Sequence, residues 1–205
     1  DVIESRGLGD VYKRQYIQST PLQLCMMTAQ IANGGFAVKP KIIVDSNPIS
    51  YEDAKQSMES GLLFDTNSAE LLDKKLFKNQ RNIKIVQEAM FASTNERFGT
   101  SYKSRIDDPK YQFAGKTGTA QVKRISKRER ELDLELEQIP YKDRDHALYV
   151  AYGPYVNPRY ALSIIVEHGG SGSKAAAPIA KKLFKLIIDR HDLRNKQSNF
   201  ERITV

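Results

Sequence analysis

The sequence predicts an α+β fold in which an antiparallel sheet is covered by helices, and three observations carry that prediction. Helical patterns dominate the first half of the chain, and strand signals concentrate after residue 110. Segregation of this kind builds antiparallel sheets with helices packed on them. Ala147–Tyr152 and Tyr160–Glu167 are rich in β-branched and aromatic residues, and the turn-type segment Gly153-Pro154-Tyr155-Val156-Asn157-Pro158 joins them into a hairpin. A helix over Ala175–Arg190 follows, with Ile179, Leu183, Leu186 and Ile187 as its inward stripe and covering one face of the sheet.

The remaining elements are read in chain order. Residues 1–15 show no clear periodicity. Thr20-Pro21 starts a helix, because proline fits the first helical turn. Leu22, Met26, Ala29, Ile31 and Ala32 give its apolar stripe, and Asn33-Gly34-Gly35 stops it. Val38–Val44 is extended, and Asn47–Ser60 is polar and turn-rich. Helices are expected over Ser68–Phe77 and Ile83–Phe98, the second with Ile83, Val86, Ala89 and Met90 on one side. Gly99–Pro109 is a loop and Tyr111–Val122 a strand. Residues 123–145 form a charged, mobile insertion between strands. Gly169–Ser173 is a flexible break, with Ser173 capping the last helix. The tail frays from Asn195.

Composition bounds the function. A chain of 205 residues, 40% hydrophobic and 28% charged, is one domain or most of one. Its net charge of +7 suits either a polyanionic partner or a solvated basic face. The Lys123–Glu137 stretch mixes both signs, and no aromatic-basic interleaving resembles a nucleic-acid fold, so no nucleic-acid partner is expected. Cys25 is the sole cysteine, which excludes an internal disulfide, and its helical setting suits a small core residue. His146, His168 and His191 have no partners at ligand spacing and are read as structural or exposed. No metal and no cofactor is expected. No apolar run is long enough to span a bilayer, so any anchor is expected outside these residues.

Gly115-Lys116-Thr117-Gly118-Thr119-Ala120-Gln121 is the strongest local signal. A nucleotide phosphate loop would need a glycine where Lys110 stands, and a helix directly after the motif. The Lys-Thr-Gly-Thr run instead matches the lysine-threonine-glycine element of penicillin-recognising serine enzymes. A substrate ending in a free carboxylate calls for a cation and hydroxyl donors, which Lys116, Thr117 and Thr119 supply. Charge-assisted bonds of this kind contribute about 1.5–3 kcal/mol each. Gly118 lets a substrate backbone lie close to the strand. The Thr119 amide is a candidate oxyanion donor.

From Tyr16 to about Arg190 the chain resembles the end of the transpeptidase domain of class B penicillin-binding proteins, of the elongation type that includes penicillin-binding protein 2. Four ordered blocks carry the resemblance: Thr20–Leu24 with Ala32–Gly35, Ala114–Gln121, His146–Pro154 with Asn157-Pro158, and Glu167–Ser173 with Ala175–Ala180. Gln121 favours the elongation type over the division type. The resemblance implies a serine β-lactamase-like transpeptidase fold, incomplete at its N-terminal side, with this chain supplying the third, fourth and fifth strands. It implies acyl transfer from D-alanyl-D-alanine stem peptides, with Lys116 and Thr119 catalytic and Lys116, Thr117, Gly118 and Thr119 binding substrate. The implied partners are peptidoglycan stem peptides and lipid-linked precursors, β-lactams, and membrane proteins of cell elongation. The implied location is the bacterial inner membrane, with the catalytic domain facing the periplasm.

The chain departs from the family in two ways. The family's Ser-x-x-Lys nucleophile element and its Ser-x-Asn element are expected before residue 1. Ser171-Gly172-Ser173-Lys174 fits the first only in letters, since it follows the lysine strand. Ser93-Thr94-Asn95 fits the second only in letters, and reads as a polar helical face. Residues 1–15 fit no family block and are read as a truncated or artefactual start, 16–192 as the C-terminal part of the domain, and 193–205 as the tail. The chain by itself is therefore expected to be an inactive fragment of a transpeptidase. The alternative reading is a basic, non-catalytic binding or scaffold module.

Overall fold

The computed structural model describes residues 19–38, 40, 75–122 and 136–203, with side chains described up to residue 194. Residues 1–15, the Asn47–Ser60 segment, and most of the expected Val38–Val44 strand, the Ser68–Phe77 helix and the 123–145 insertion lie outside these residues.

Helix α1 spans Pro21–Ala32. Its start is a capping box: the Thr20 side chain accepts from the Gln23 amide at 3.2 Å, and Gln23 Oε1 accepts from the Thr20 amide at 2.8 Å. Its end is forced by Gly34 and Gly35, whose φ values of 86° and 94° favour glycine. Leu22, expected inward, is exposed, and the buried residue of α1 is Thr28, whose hydroxyl donates to the Leu24 carbonyl. Helix α2 spans Gln80–Asn95. Lys75–Phe77, expected to be helical, is not. Lys75 pairs with Phe36 in an isolated antiparallel bridge, so long-range pairing overrides local propensity there.

Strands β1 (Ala114–Ala120), β2 (His146–Gly153) and β3 (Tyr160–Val166) form a three-stranded antiparallel sheet in that order. The β2–β3 hairpin matches the sequence expectation. A single π-helical turn, Gly172–Ala176, leads into helix α3 (Ala177–Ile203). Two expectations fail here. Ser173 lies inside the π-helical turn and bonds the Ser171 hydroxyl at 2.9 Å instead of capping a helix. The helical backbone also continues past Asn195 to Ile203.

The largest correction concerns which surfaces are buried. Helices cover both faces of the sheet. On one face Phe113, Ala147, Tyr149 and Ala151 pack against Ala176, Ala177, Ala180, Phe184 and Ile188 from the π turn and α3. On the other, Ala114 and Tyr152 pack against Met90, with Ile31, Ala32 and Phe91 around them. The buried stripe of α3 is thus Ala177-Ala180-Phe184-Ile188, one helical row away from the expected one. Ile179, Leu183 and Leu186 are exposed, and only Ile187 is half-buried. The alanines explain the choice: small side chains let the helix approach the sheet closely enough for Phe184 to stack on Phe113, with ring centroids 4.8 Å apart.

The stripe of α2 shifts similarly. Ile83, Met90 and Thr94 are buried, whereas Val86 and Ala89 are exposed. Gln87 caps the end of α1, donating to the Ile31 and Ala32 carbonyls at 2.7 and 3.3 Å. Among the described residues no helix is long and apolar enough to cross a membrane, and no group of three or more His, Cys, Asp or Glu could hold a metal ion.

Candidate active site

The site is built around β1, an edge strand of the described sheet. The end of α2 lies against the start of that edge. Asn95 Nδ2 donates to the Phe113 carbonyl at 2.9 Å, and the Thr94 hydroxyl reaches the Gly115 carbonyl at 3.5 Å. Those two carbonyls therefore point away from β2. In an antiparallel strand alternate residues point their backbone groups to the same side. The amides and carbonyls of Thr117 and Thr119 consequently face the same outer edge, beyond the reach of α2.

Side chains alternate in the other sense. The register pairs Lys116 with Val150 and Gly118 with Leu148, on the α1/α2 face, and pairs Thr117 with Tyr149 and Thr119 with Ala147, on the α3 face. The cation and the two hydroxyls thus sit on opposite faces of one strand. Only a ligand lying along the edge reaches all of them. Lys116 is exposed, and its Nζ donates to the Thr117 carbonyl on that edge at 2.9 Å. It lines a cavity of about 610 Å³ together with apolar residues (Met27, Ile31, Val86, Met90, Val150) and the polar Ser93, Glu96 and Thr100.

The Ser93-Thr94-Asn95 segment is not the solvated polar face expected of it. Thr94 is fully buried, and its hydroxyl bonds Tyr149 at 2.9 Å and Ser101 at 3.3 Å, while Ser101 also reaches Tyr149 at 3.1 Å. Burial pushes the Tyr149 phenol above its ordinary value, so it stays neutral in this triad. A second, outer chain of hydroxyls runs from Ser93 through Thr100 to Thr117, with both steps at 3.2 Å. The two networks lock the start of β1 to α2. One sequence signal could have exposed them: Tyr149 sits in an apolar strand, and a buried phenol needs a polar partner.

The other singled-out residues are structural. Cys25 is half-buried, donates to the Ala161 carbonyl at 3.4 Å, and has its thiol pKa raised by burial. His168, at φ 54°, donates its amide to His146 Nδ1 at 2.9 Å, and its own ring nitrogen bonds the Arg144 carbonyl. His191 packs edge-on to Tyr160.

The model of the penicillin-binding protein transpeptidase domain matches residues 3–185. The peptidoglycan D,D-transpeptidase MrdA of Haemophilus influenzae is 31% identical over 176 residues, which is 85% of this chain and 24% of that protein. Its namesake in Salmonella typhimurium is 37% identical over 105 residues, 51% of this chain and 16% of that one. Among solved structures, Pseudomonas aeruginosa PBP2 in complex with WCK 5153 superposes with a TM-score of 0.59 at 29% identity, covering 84% of this chain and 31% of that one. Helicobacter pylori PBP2, solved with MreC, gives 0.55 at 30% identity, covering 82% and 25%. The chain spans between about a sixth and a quarter of the relatives it matches. With a family match over most of its length and PBP2 structures as its fold neighbours, this chain belongs to the penicillin-binding protein transpeptidase domain family.

Proposed function

We propose that this chain forms the lysine-strand side of a peptidoglycan D,D-transpeptidase site, with residues 16–192 as the C-terminal part of the catalytic domain. The observation that carries the reading is the outer edge of β1: an exposed Lys116 beside two outward-facing peptide units at Thr117 and Thr119. A donor peptide laid along that edge extends the sheet by one strand. Its terminal carboxylate meets the Lys116 ammonium and the Thr117 and Thr119 hydroxyls. Gly118, which bears no side chain, lets it approach. The Thr119 amide donates to the carbonyl oxygen as negative charge gathers there, a contact whose loss costs about 10²–10³ in rate.

The chemistry is acyl transfer. A serine hydroxyl attacks the donor carbonyl, the D-alanine amine leaves with a proton, and an amine of a second stem peptide then takes the acyl group and releases the serine. Ahead of β1 these 205 residues contain no Ser-x-x-Lys sequence to supply that nucleophile. β-Lactams enter as donor mimics. The membrane-attached, periplasm-facing setting and a cell-elongation partner of the MreC kind belong to the same proposal, and the Helicobacter pylori complex supports the second.

The test uses the full-length parent protein and a fluorescent penicillin. Lys116→Ala is expected to slow acylation about 10- to 100-fold, as loss of one charge-assisted bond implies. A folded Lys116→Ala parent that acylates at the wild-type rate would overturn the assignment.

A further inference from the structure

A second cavity, of about 760 Å³, opens between the loop after α2 and the first turns of α3. Its charged lining is of one sign: Arg97, Lys103, Lys174, Lys181, Lys182 and Lys185, with no carboxylate among the lining residues. None of the six makes an ion pair among the described residues. Asp189 feels the field of Lys185, but its Oδ1 is already bonded by Lys110 and Tyr111. Like charges gathered with no ion-pair partner among the described residues repel one another, and a bound polyanion relieves that repulsion.

We infer that this groove binds a base-free polyphosphate group, two or more linked phosphates. Three observations select that chemistry. Five of the six cations are lysines, whose flexible point charges suit spread phosphate charge better than one planar carboxylate. Lys174 to Lys185 span roughly 16 Å along the π turn and α3, longer than a single phosphate. Tyr102 is the one aromatic residue in the lining, and the Arg105 guanidinium stacks on its ring at 4.1 Å, which leaves no stacking platform for nucleobases. Gly99 and Thr100 also line the Lys116 cavity, so the two cavities meet at this turn. This site is independent of the transpeptidase reading.

The test compares two variants of the full-length parent protein that each remove two positive charges: Lys181→Gln with Lys182→Gln in the groove, and Lys84→Gln with Lys142→Gln outside it. Calorimetric titration with inorganic tripolyphosphate at low salt reads the free source. Co-sedimentation with phosphatidylcholine vesicles carrying a diphosphate-headed lipid reads the membrane source. Saturable binding in either arm, about tenfold weaker in the groove variant and changed less than twofold in the control, supports the site. It should also weaken steeply with added salt. Absence of saturable binding in both arms overturns it, as does equal weakening in both variants. A single-stranded oligonucleotide that binds more tightly than tripolyphosphate per phosphate overturns the base-free assignment. Penicillin acylation of the groove variant stays at the wild-type rate, which separates this outcome from failure of the transpeptidase reading.

Discussion

The glycines around β1 differ in what an added Cβ would meet. A Cβ on Gly115 would lie 2.4 Å from the Tyr149 hydroxyl and 2.5 Å from its ring carbon Cζ. One on Gly172 would lie 2.3 Å from the Leu148 carbonyl oxygen and 2.7 Å from that of Gly118. Both substitutions to alanine collide with a buried ring or with backbone. Each is expected to cost about 1–3 kcal/mol in denaturant unfolding. Tyr149→Phe does not rescue Gly115→Ala, because the ring carbons remain in the way. Gly118 differs: its added Cβ meets only the Leu148 side chain, Cβ at 3.2 Å and Cδ1 at 3.7 Å. Gly118→Ala should therefore leave the unfolding midpoint of the parent protein nearly unchanged while slowing acylation. Equal losses of stability for Gly118→Ala and Gly172→Ala would show that Gly118 is demanded by packing, not by a ligand on the edge.

At the scale of elements, the orientation of α3 is open to a direct measurement. Phe184 is fully buried against Phe113, whereas Leu186 is 63% exposed. Phe184→Ala should destabilise by about 3–5 kcal/mol and Leu186→Ala by about 0.5 kcal/mol. The opposite ranking would restore the stripe expected from periodicity alone. The same helix is tied to the approach of β1 by an exposed latch. Lys110 bonds Asp189 at 3.2 Å and Asp192 at 2.9 Å, and the Tyr111 hydroxyl also donates to Asp189. The Tyr111 bond and then Lys110 hold Asp189 below its ordinary 3.8, and Lys110 does so for Asp192. A carboxylate with a lowered folded pKa adds stability above its unfolded pKa and loses it as pH falls through the folded one. Lys110 is pushed above its ordinary 10.5, chiefly by Asp192, so its share is full below that pH and fades as pH rises further. The latch thus acts between about pH 4 and pH 10, modestly because it is solvent-screened. Thermal melts should show Lys110→Met below wild type at pH 7, with the two curves converging as pH falls below 3.8. A gap that persists in acid would mean that Lys110 acts through packing.

At the scale of the molecule, the sheet lies between two helical layers, and the α1/α2 layer leaves a wide apolar surface beside Lys116. Phe98 is 92% exposed, Ile85 53% and Val86 41%, all lining the Lys116 cavity. Patches of this kind mark interaction surfaces or aggregation hazards. The transpeptidase reading adds a functional expectation for the whole chain. The 205-residue chain itself should give no covalent band with a fluorescent penicillin, and the full-length parent should give one. A band from the chain alone would place a nucleophile within these residues and undo the motif assignment.

What the sequence determined by itself was local or periodic. The helix start at Thr20-Pro21, the glycine stop at 34–35, the β2–β3 hairpin and the Lys116–Thr119 motif each depend on a few neighbouring residues, whose conformational preferences act within one turn or one pleat. The family resemblance was legible for the same reason, as four short blocks in a fixed order. Tertiary structure alone decided which row of α3 is buried, because two adjacent rows are both apolar and only the fit of Ala177, Ala180 and Phe184 to the sheet separates them. It alone converted Ser93-Thr94-Asn95 from a polar run into the clamp on β1, since Thr94 meets Tyr149 across 55 positions of chain. It alone gathered Arg97 and Lys103 beside Lys174–Lys185 into one groove. A contact between distant segments is fixed by where two surfaces meet, and no local preference in either segment encodes the other's position.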